Sequence, residues 1–288
     1  MMVHRLSLKH ISAIMIALKV CLLIFLVVKV LFFSAEPPVF SLDQRFFTIL
    51  GAGFLAQLID GTLGMAYGVS CSTLLLTFGL PPAVASASVH TAEVFTTGVS
   101  GLSHLFLQNV NKALFFRIVI PGVLGAVIGA YLISEVLNGD LIKPYISGYL
   151  LIMGILILVK SFRVLPTVER LRRVFLLGIT GGFLDAVGGG GWGPIVTSNL
   201  IFQGKTPQET IGTVNTAEFF VAFFSTGVFL FFVGLDSWPV VLALILGGVL
   251  AAPVGAVLAK KVKPKTMMRL VGIIIIIISA YTIYKSIF

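Results

Sequence analysis

The chain has 288 residues, of which 58% are hydrophobic and 11% are charged. A soluble domain needs far more polar residues to cover its surface, so this composition excludes a separate soluble domain and predicts a chain that lies mostly in lipid. The net charge of +9 falls in short loops, which is typical of the positive-inside bias of membrane proteins, and we expect no binding of nucleic acid.

The first apolar run covers residues 11–33 and follows the basic residues Arg5 and Lys9. The run is too long for the core of a signal peptide and has no small-residue cleavage site, so it predicts an uncleaved transmembrane helix. The basic residues before it place the N-terminus in the cytoplasm. Lys19 and Lys29 lie within the helix, and we expect them to snorkel or to face protein.

The rest of the chain contains one unit twice. Residues 60–68 (DGTLGMAYG) resemble residues 185–193 (DAVGGGGWG), and residues 90–93 (HTAE) resemble residues 215–218 (NTAE), both at a separation of 125 residues. Several matches in one order at one separation indicate a duplication. The predicted parts are an N-terminal transmembrane helix with an outer loop (1–44), a first repeat unit (45–162), a basic cytoplasmic linker (163–171) and a second repeat unit (172–288).

Each unit begins with two short apolar segments on either side of a glycine-rich link, and three longer helices follow. The short segments are too brief to cross a bilayer comfortably at about 1.5 Å per residue. They are predicted at 46–59 and 66–80, and at 174–187 and 192–203. The longer helices are predicted at 84–107, 114–134 and 142–161, and at 209–233, 239–259 and 266–284.

Loop charge predicts that the two units are inserted in opposite orientations. Basic loops mark the cytoplasmic side, and equivalent loops of the two units carry opposite charge. Lys112 and Arg117 correspond to the region of Asp236, and Glu135 and Asp140 correspond to Lys260 and Lys261. The predicted fold class is therefore an all-α polytopic membrane protein with an inverted-topology repeat. Such repeats place a binding site between the units and allow alternating access, which favours a transporter of the cell membrane.

The glycine-rich links are the first candidates for a solute site. Glycines would end helices within lipid and leave backbone amides that protein, water or solute must satisfy. The helix N-termini that follow would converge and attract an anion, and the two aromatic residues would wall or gate the site. The substrate-binding candidates here are Gly64, Tyr67, Gly68, Gly189, Gly190, Trp192 and Gly193. The alternative is close helix packing through small residues.

Polar side chains in the HTAE and NTAE segments are the second candidates. His90, Thr91, Asn215 and Thr216 are predicted to bind the solute. Because an ionisable group inside a membrane span is costly and usually functional, Glu93 and Glu218 are predicted to couple protons or to gate. Asp60 and Asp185 are assigned the same role. Helix capping and helix–helix bonding are the alternative for all these side chains.

Other classes of site receive little support. Cys21 and Cys71 lie in apolar surroundings without metal-ligand spacing, so we expect no metal site and no cofactor. The chain has no HExxH or GxSxG motif, and we expect no enzyme; an intramembrane enzyme is the weakest alternative. A cation or metal-ion transporter that uses the four membrane carboxylates is the main alternative, because hard cations prefer oxygen ligands.

These features resemble the TauE/SafE sulfite exporter family. The resemblance covers nearly the whole chain after the first helix and is carried by the paired glycine-rich links and by the HTAE and NTAE segments. The second link is the closer match, since Met65, Ala66 and Tyr67 stand where glycines are frequent in the family. The resemblance implies a permease of the cytoplasmic membrane for sulfite, an organosulfonate or a related sulfur-containing or carboxylate anion. We expect the lipid bilayer and a small anion, with protons as the coupling ion, to be its partners.

Overall fold

The computed structural model describes residues 7–33, 43–163, 171–234, 237–258 and 264–287, and within these ranges every regular element is a helix. The helices before the linker are α1 (Leu8–Phe33), α2 (Gln44–Leu63), α3 (Tyr67–Thr77), α4 (Pro82–Phe106), α5 (Lys112–Tyr131, followed by a π-helical turn, Leu132–Val136) and α6 (Gly139–Lys160). Those after it are α7 (Val174–Gly188), α8 (Ser198–Phe202, preceded by a π-helical turn, Gly193–Thr197), α9 (Pro207–Phe232), α10 (Trp238–Leu258) and α11 (Pro264–Ile287).

Several helices are built to lie in a bilayer. Four of them have the length and the apolar composition of a membrane span: α1, α5 with its π-helical turn, α6 and α9. Shorter apolar helices cover α3, α7 and most of α10 and α11. Large apolar side chains such as Phe32, Leu141 and Phe231 point outward from the bundle. An apolar outer surface of this kind faces lipid, so the fold is an all-α, multi-pass membrane protein.

The first helix, α1, lies at the periphery and packs on α4 and α9. Its mid-helix ammonium group turns toward protein: Lys19 Nζ donates to the carbonyl oxygen of Phe95 at 3.2 Å. Lys29 Nζ lies 5.9 Å from the centre of the Phe25 ring. Lys19 thus takes one of the two predicted placements, the one that faces protein.

The second helix, α2, is longer than the predicted segment 46–59. It begins earlier because Asp43 caps it, accepting from the backbone N–H of Phe46 at 2.8 Å. It ends later because Gly61 stays helical, which costs only about 1 kcal/mol for a glycine. The break comes at Gly64, whose φ of 63° lies in the left-handed region that favours glycine.

The helices pair between the two predicted units. Helix α2 of the first unit packs on α10 of the second unit. Helix α7 of the second unit packs on α5 of the first unit. In addition α4 packs on α9, and α6 packs on α11. Because α2 is the counterpart of α7 and α5 is the counterpart of α10, these contacts are reciprocal, as they are between bodies related by a two-fold axis.

The equivalent helices α4 and α9 run antiparallel. In the first half of α4, the His90 ring lies 5.5 Å from the ring of Phe229, near the end of α9. In the first half of α9, Asn215 Nδ2 donates at 2.9 Å to Ser100 Oγ, in the second half of α4. Helices α6 and α11 also run antiparallel, because Gly154 contacts Ile275 while Leu158, later in α6, contacts Gly272, earlier in α11. Antiparallel packing of equivalent helices supports the predicted opposite insertion of the two units.

Much of the predicted orientation signal lies outside the described residues. This holds for most of the outer loop after α1, most of the basic linker, Asp236, and the lysines between α10 and α11. The segments concerned are 34–42, 164–170, 235–236 and 259–263. The opposite insertion predicted from loop charge and the division of the chain into parts therefore stay predictions.

Candidate solute site

Both predicted short pairs are helices interrupted at a glycine. α2 ends at Gly64 with φ 63°, and α7 ends at Gly189 with φ 68°. Each glycine N–H bonds to the backbone carbonyl of the aspartate four residues earlier, which is Asp60 in the first unit and Asp185 in the second. A left-handed residue after the last helical turn is a common way to end a helix. The two interruptions thus occur at equivalent glycines.

The two interruptions lie against each other. The hydroxyl group of Ser72 in α3 donates to the carbonyl oxygen of Gly189. The hydroxyl group of Thr197, in the π-helical turn before α8, donates to the carbonyl oxygen of Gly64 at 2.9 Å. Ser72 and Thr197 are equivalent residues, so each unit closes one hydrogen bond on the interruption of the other.

Glycines permit this close approach. A Cβ atom on Gly68 would lie 2.8 Å from Cα of Gly190, and a Cβ atom on Gly193 would lie 2.5 Å from Cα of Met65. Both contacts are with backbone, which cannot move aside as a flexible side chain would. Any larger residue at Gly68 or Gly193 would therefore push the interruptions apart.

The two aspartates lie beside the segments that follow the interruptions. Asp185 Oδ1 accepts from the backbone N–H of Trp192 at 2.9 Å and so satisfies an amide that the start of a helix leaves unpaired. The Asp60 carboxylate lies near the backbone N–H of Tyr67 and interacts with it electrostatically. Within the described part of the chain, Asp60 Oδ2 has no hydrogen-bond partner. Part of the hydrogen-bonding capacity of Asp60 is therefore not used by these residues.

His90 and Asp185 form a buried pair. His90 Nδ1 lies 2.9 Å from the carbonyl oxygen of Ser86, and Nε2 lies 3.2 Å from Asp185 Oδ2. A carbonyl oxygen only accepts, so Nδ1 carries a hydrogen, and the facing lone pairs of Nε2 and Oδ2 require a proton or a cation between them. Glu93 follows His90 by one turn of α4, and each of the three residues has a donor atom within 4.8 Å of the others.

The same three side chains are a possible metal-binding set among the described residues. The His90 Nε2 and Asp185 Oδ2 atoms lie 3.2 Å apart, a distance that both a hydrogen bond and two ligands of one ion allow. That the chain needs no metal stays a prediction.

Four buried carboxyl groups share one region of the structure, those of Asp60, Glu93, Asp185 and Glu218. The Glu218 carboxylate interacts electrostatically with the other three. Like charges at short range in a medium of low dielectric constant repel strongly, so four full negative charges cannot be held here without protons or cations. The structure thus brings together all four predicted coupling residues.

The remaining polar candidates are also buried. Asn215 donates to Ser100 from Nδ2, while its Oδ1 has no hydrogen-bond partner among the described residues. The hydroxyl groups of Thr91 and Thr216 donate to backbone carbonyls four residues earlier in their own helices. The two threonine hydroxyls thus satisfy their own helices, and only the Asn215 oxygen is left available to a ligand.

The two aromatic candidates are fixed walls in this conformation. Trp192 Nε1 donates to the carbonyl oxygen of Val214 at 3.2 Å, and Tyr67 Oη lies 3.4 Å from the carbonyl oxygen of Leu244. Both rings are fully buried, and each belongs to one of two apolar clusters in the core. The Tyr67 bond ties the first interrupted segment to α10 of the other unit, and the Trp192 bond ties the second to α9 of its own unit.

A cavity of about 50 Å³ lies between the first half of α4, the end of α9 and the start of α10. Ser88, Thr91 and Ser237 line it. At the equivalent place at the other end of α4, the backbone N–H of Asn111 donates to Thr213 Oγ1 at 2.9 Å. A pocket of about 300 Å³ lies beside this hydrogen bond and is lined in part by Gln108, Asn111 and Glu209. The two ends of the α4–α9 pair therefore differ in their contacts.

A family model described as "Sulfite exporter TauE/SafE" matches residues 49–282. The chain belongs to the TauE/SafE sulfite exporter family. It is 46% identical over 244 residues to the "Probable membrane transporter protein YtnM" of Bacillus subtilis (strain 168), and the match covers 81% of each chain. It is 28% identical over 219 residues to the "Probable membrane transporter protein ORF9" of Sinorhizobium sp, covering 71% of this chain and 79% of the other. No solved structure matches the chain.

A shorter match links this TauE/SafE protein to a plant relative. It is 37% identical over 68 residues to the "Sulfite exporter TauE/SafE family protein 6" of Arabidopsis thaliana, covering 23% of this chain and 16% of the other. Family membership confirms the resemblance found in the sequence. It also makes the chain a membrane transporter by family.

Two residues of α6 that were not predicted as site residues reach the second interruption of this TauE/SafE protein. Tyr149 Oη donates to the carbonyl oxygen of Gly190 at 2.9 Å, and Lys160 Nζ donates to the carbonyl oxygen of Pro194 at 3.1 Å. A phenol and an ammonium group on either side of the apolar stretch 150–159 were the available signal. That signal was missed because neither residue belongs to the repeated motifs.

Proposed function

We propose that this TauE/SafE protein is a secondary transporter of a small anion, that it is coupled to protons, and that it works by alternating access. The contact between the two interrupted helices, beside four buried carboxyl groups, is the observation that carries the proposal. Interrupted helices between oppositely oriented repeats are where secondary transporters hold their solutes. The proposed solutes are sulfite, organosulfonates and related sulfur-containing or carboxylate anions. The description of the family model, which names sulfite, supports this class.

Protons and an anion would bind to this region together. Backbone amides at the starts of the segments after Gly64 and Gly189 present partial positive charge to an anion. The neighbouring carboxylates would repel the anion unless protons neutralise part of their charge. Each ligand thus favours the binding of the other, which is the thermodynamic basis of coupling.

The difference between the two ends of the α4–α9 pair supports alternating access. Asn111 and Thr213 are hydrogen-bonded at one end, while their counterparts Ser237 and Ser88 line the cavity at the other. In the predicted orientation the cavity faces the outside and the hydrogen-bonded end faces the cytoplasm. Exchanging the two arrangements would move access from one side of the membrane to the other.

The four carboxylates also favour a second candidate function, transport of a cation or metal ion. In the part of the chain that the structure describes, Asp60 Oδ2 and Glu93 Oε2 are buried without a hydrogen-bond partner. Oxygen atoms of this kind suit hard cations. Under this alternative, divalent cations would be carried in the absence of any anion.

Reconstitution distinguishes the two functions. We expect purified protein in proteoliposomes to take up labelled sulfite, an organosulfonate or a small carboxylate, and to do so faster under a pH gradient than without one. Empty liposomes are the control. Uptake of none of these anions would overturn the proposal, and uptake of a labelled divalent cation without any anion would favour the alternative.

Substitution of the buried glutamates tests the proposed proton coupling. We expect Glu93→Gln and Glu218→Gln to lower uptake driven by a pH gradient by about tenfold, equivalent to about 1.4 kcal/mol, with normal insertion into the membrane. Glu135→Gln is the matched control, because Glu135 is exposed at the end of the π-helical turn after α5. If both buried variants transport normally at every pH, the proton-coupling role is wrong.

A further inference from the structure

An apolar wall surrounds Gly122 in the middle of α5. A Cβ atom on Gly122 would lie 2.5 Å from the ring of Trp192 and 3.1 Å from a methyl group of Val221. The backbone of Gly182 in α7 packs on the same glycine. Gly182 and Val221 carry no polar side-chain atom, and the indole N–H of Trp192 is already bonded elsewhere. This place offers nothing to a polar ligand.

The equivalent place around Gly248 in α10 is polar. A Cβ atom on Gly248 would contact the methyl carbon of Thr96 and would lie 3.5 Å from Tyr67 Oη. The Thr96 hydroxyl is bonded to the same side-chain carbon as that methyl group. Tyr67 is the counterpart of Trp192, and Thr96 is the counterpart of Val221. Two apolar neighbours in one half of the molecule are therefore replaced by two hydroxyl-bearing neighbours in the other half.

Gln57 completes this polar place. It is the counterpart of Gly182, and it follows Gly53 by one turn of α2. Gly53 packs on Leu244 in α10, and the starts of α2 and α10 line one common pocket, so the two helices run parallel. One turn beyond Leu244 is Gly248, which puts Gln57 beside that glycine.

The polar atoms of Gln57 and Thr96 are not used by the protein in this conformation. Both side chains are fully buried, and Nε2 and Oε1 of Gln57 and Oγ1 of Thr96 have no hydrogen-bond partner within the described residues. By contrast, the hydroxyls of Ser88, Thr91 and Thr97 on the same helix donate to backbone carbonyls. Leaving a buried polar group without a partner costs about 1–3 kcal/mol, and a bound ligand would relieve that cost.

We propose that Gln57 and Thr96 form an oxyanion subsite, with Tyr67 as its wall. The amide N–H groups of Gln57 and the hydroxyl of Thr96 donate to the oxygen atoms of a small sulfur-containing or carboxylate anion. The subsite lies on one side of the pseudo-two-fold axis only, since Gly182 and Val221 leave the other side apolar. The inference rests on the proposed anion transport and names the side chains that recognise the solute.

Two substitutions test the subsite. We expect Gln57→Leu and Thr96→Val each to raise the KM for anion uptake by about tenfold, equivalent to about 1.4 kcal/mol, and to weaken sulfite binding to the detergent-solubilised protein to the same extent. We also expect their apparent unfolding temperatures to stay the same or to rise, because each change removes a buried polar group that has no partner. Lower affinity at undiminished stability is the signature of a ligand site.

Thr226→Val is the matched control. The Thr226 hydroxyl is also fully buried and has no partner among the described residues, but it lies in α9, away from Gly248. We expect this variant to keep its KM and its sulfite affinity. A third variant, Gln57→Glu, keeps the shape of the side chain and replaces the donor with a carboxyl group, and we expect it to lose sulfite binding.

The outcomes separate this inference from the proposed function. If the unmodified protein transports an anion and Gln57→Leu and Thr96→Val keep its KM within about twofold, the subsite is wrong while the transport function stands. If the affinity falls only together with the unfolding temperature, the two residues are structural, and the subsite is also wrong. If the unmodified protein neither binds sulfite nor moves any anion, the proposed function itself fails.

Discussion

Asp185 serves two partners with its two carboxyl oxygens. Oδ1 accepts from the backbone N–H of Trp192 and so fixes the start of a helix segment, while Oδ2 lies 3.2 Å from His90 Nε2. An asparagine could satisfy both contacts, because its amide oxygen accepts and its amide N–H donates. A carboxylate instead makes the second contact charge-assisted when His90 is protonated.

This division of tasks predicts a difference between two variants. We expect Asp185→Ala to be less stable than Asp185→Asn by about 1–3 kcal/mol, because alanine leaves the buried amide of Trp192 without an acceptor. The apparent unfolding temperature of each purified variant in detergent measures the difference. Equal unfolding temperatures would mean that the cap contributes no stability.

At the scale of elements, glycines allow α5 and α7 to touch through their backbones. A Cβ atom on Gly125 would meet the carbonyl group of Ile179, and one on Gly182 would meet the carbonyl group of Gly122. In lipid, helices associate by such close packing, since burying apolar surface brings no gain there. The counterpart of Gly125 in α10 is Ala251, so the equivalent α2–α10 contact accommodates a methyl group at this position.

The α5–α7 contact predicts the effect of a single methyl group. We expect Gly125→Ala to lower stability by about 1–3 kcal/mol, because the methyl group meets backbone that cannot rotate away. Gly148→Ala in α6 is the control, since nothing lies within 4 Å of its Cβ position. Thermal unfolding in detergent compares the two, and equal stability would show that α5 and α7 can separate without cost.

At the scale of the whole molecule, the two units make reciprocal contacts but hold different residues at their centre. Ser72 and Thr197 exchange equivalent hydrogen bonds, whereas His90 stands opposite Asn215 in the repeat. The scaffold is pseudo-symmetric, but the His90 imidazole can bind an added proton and the Asn215 amide cannot, so the two halves differ in their capacity for protons. The Asn111–Thr213 hydrogen bond is present at one end of the α4–α9 pair, whereas the counterparts Ser237 and Ser88 line a cavity at the other end.

Alternating access at the α4–α9 pair predicts the effect of two cross-links on transport. In proteoliposomes, we expect a thiol cross-linker to join Asn111→Cys to Thr213→Cys in the conformation seen here and to join Ser88→Cys to Ser237→Cys in the other. Either cross-link should stop transport, and reduction should restore it, because each locks one end of the α4–α9 pair. Cross-linked protein that still transports at the normal rate would contradict alternating access at this pair.

The cross-linking background needs two further changes. Cys21 and Cys71 are free thiols, and the first of them is exposed. Cys21→Ser and Cys71→Ala remove both, and this background without the added cysteine pairs is the control. It should show no effect of the cross-linker on uptake.

Helix positions follow closely from the sequence because their signals are local. Proline at the first helical position starts α4 at Pro82 and α9 at Pro207, within two residues of the predicted starts at 84 and 209. The interruptions follow from clustered glycines in the same way. The extension of α2 through Gly61 was not predicted, because whether a glycine breaks a helix depends on the φ angle that its surroundings impose.

The amino-acid sequence alone determined the membrane class, the helices, the two interruptions and the acid groups beside them, because each is set by residues that are neighbours along the chain. Only the tertiary structure decided which groups meet. The hydroxyl of Ser72 and the carbonyl of Gly189 are 117 residues apart in the chain, and no periodicity connects them. The same holds for Gln57 and Thr96, whose unpaired atoms become visible only when helices from both units enclose them.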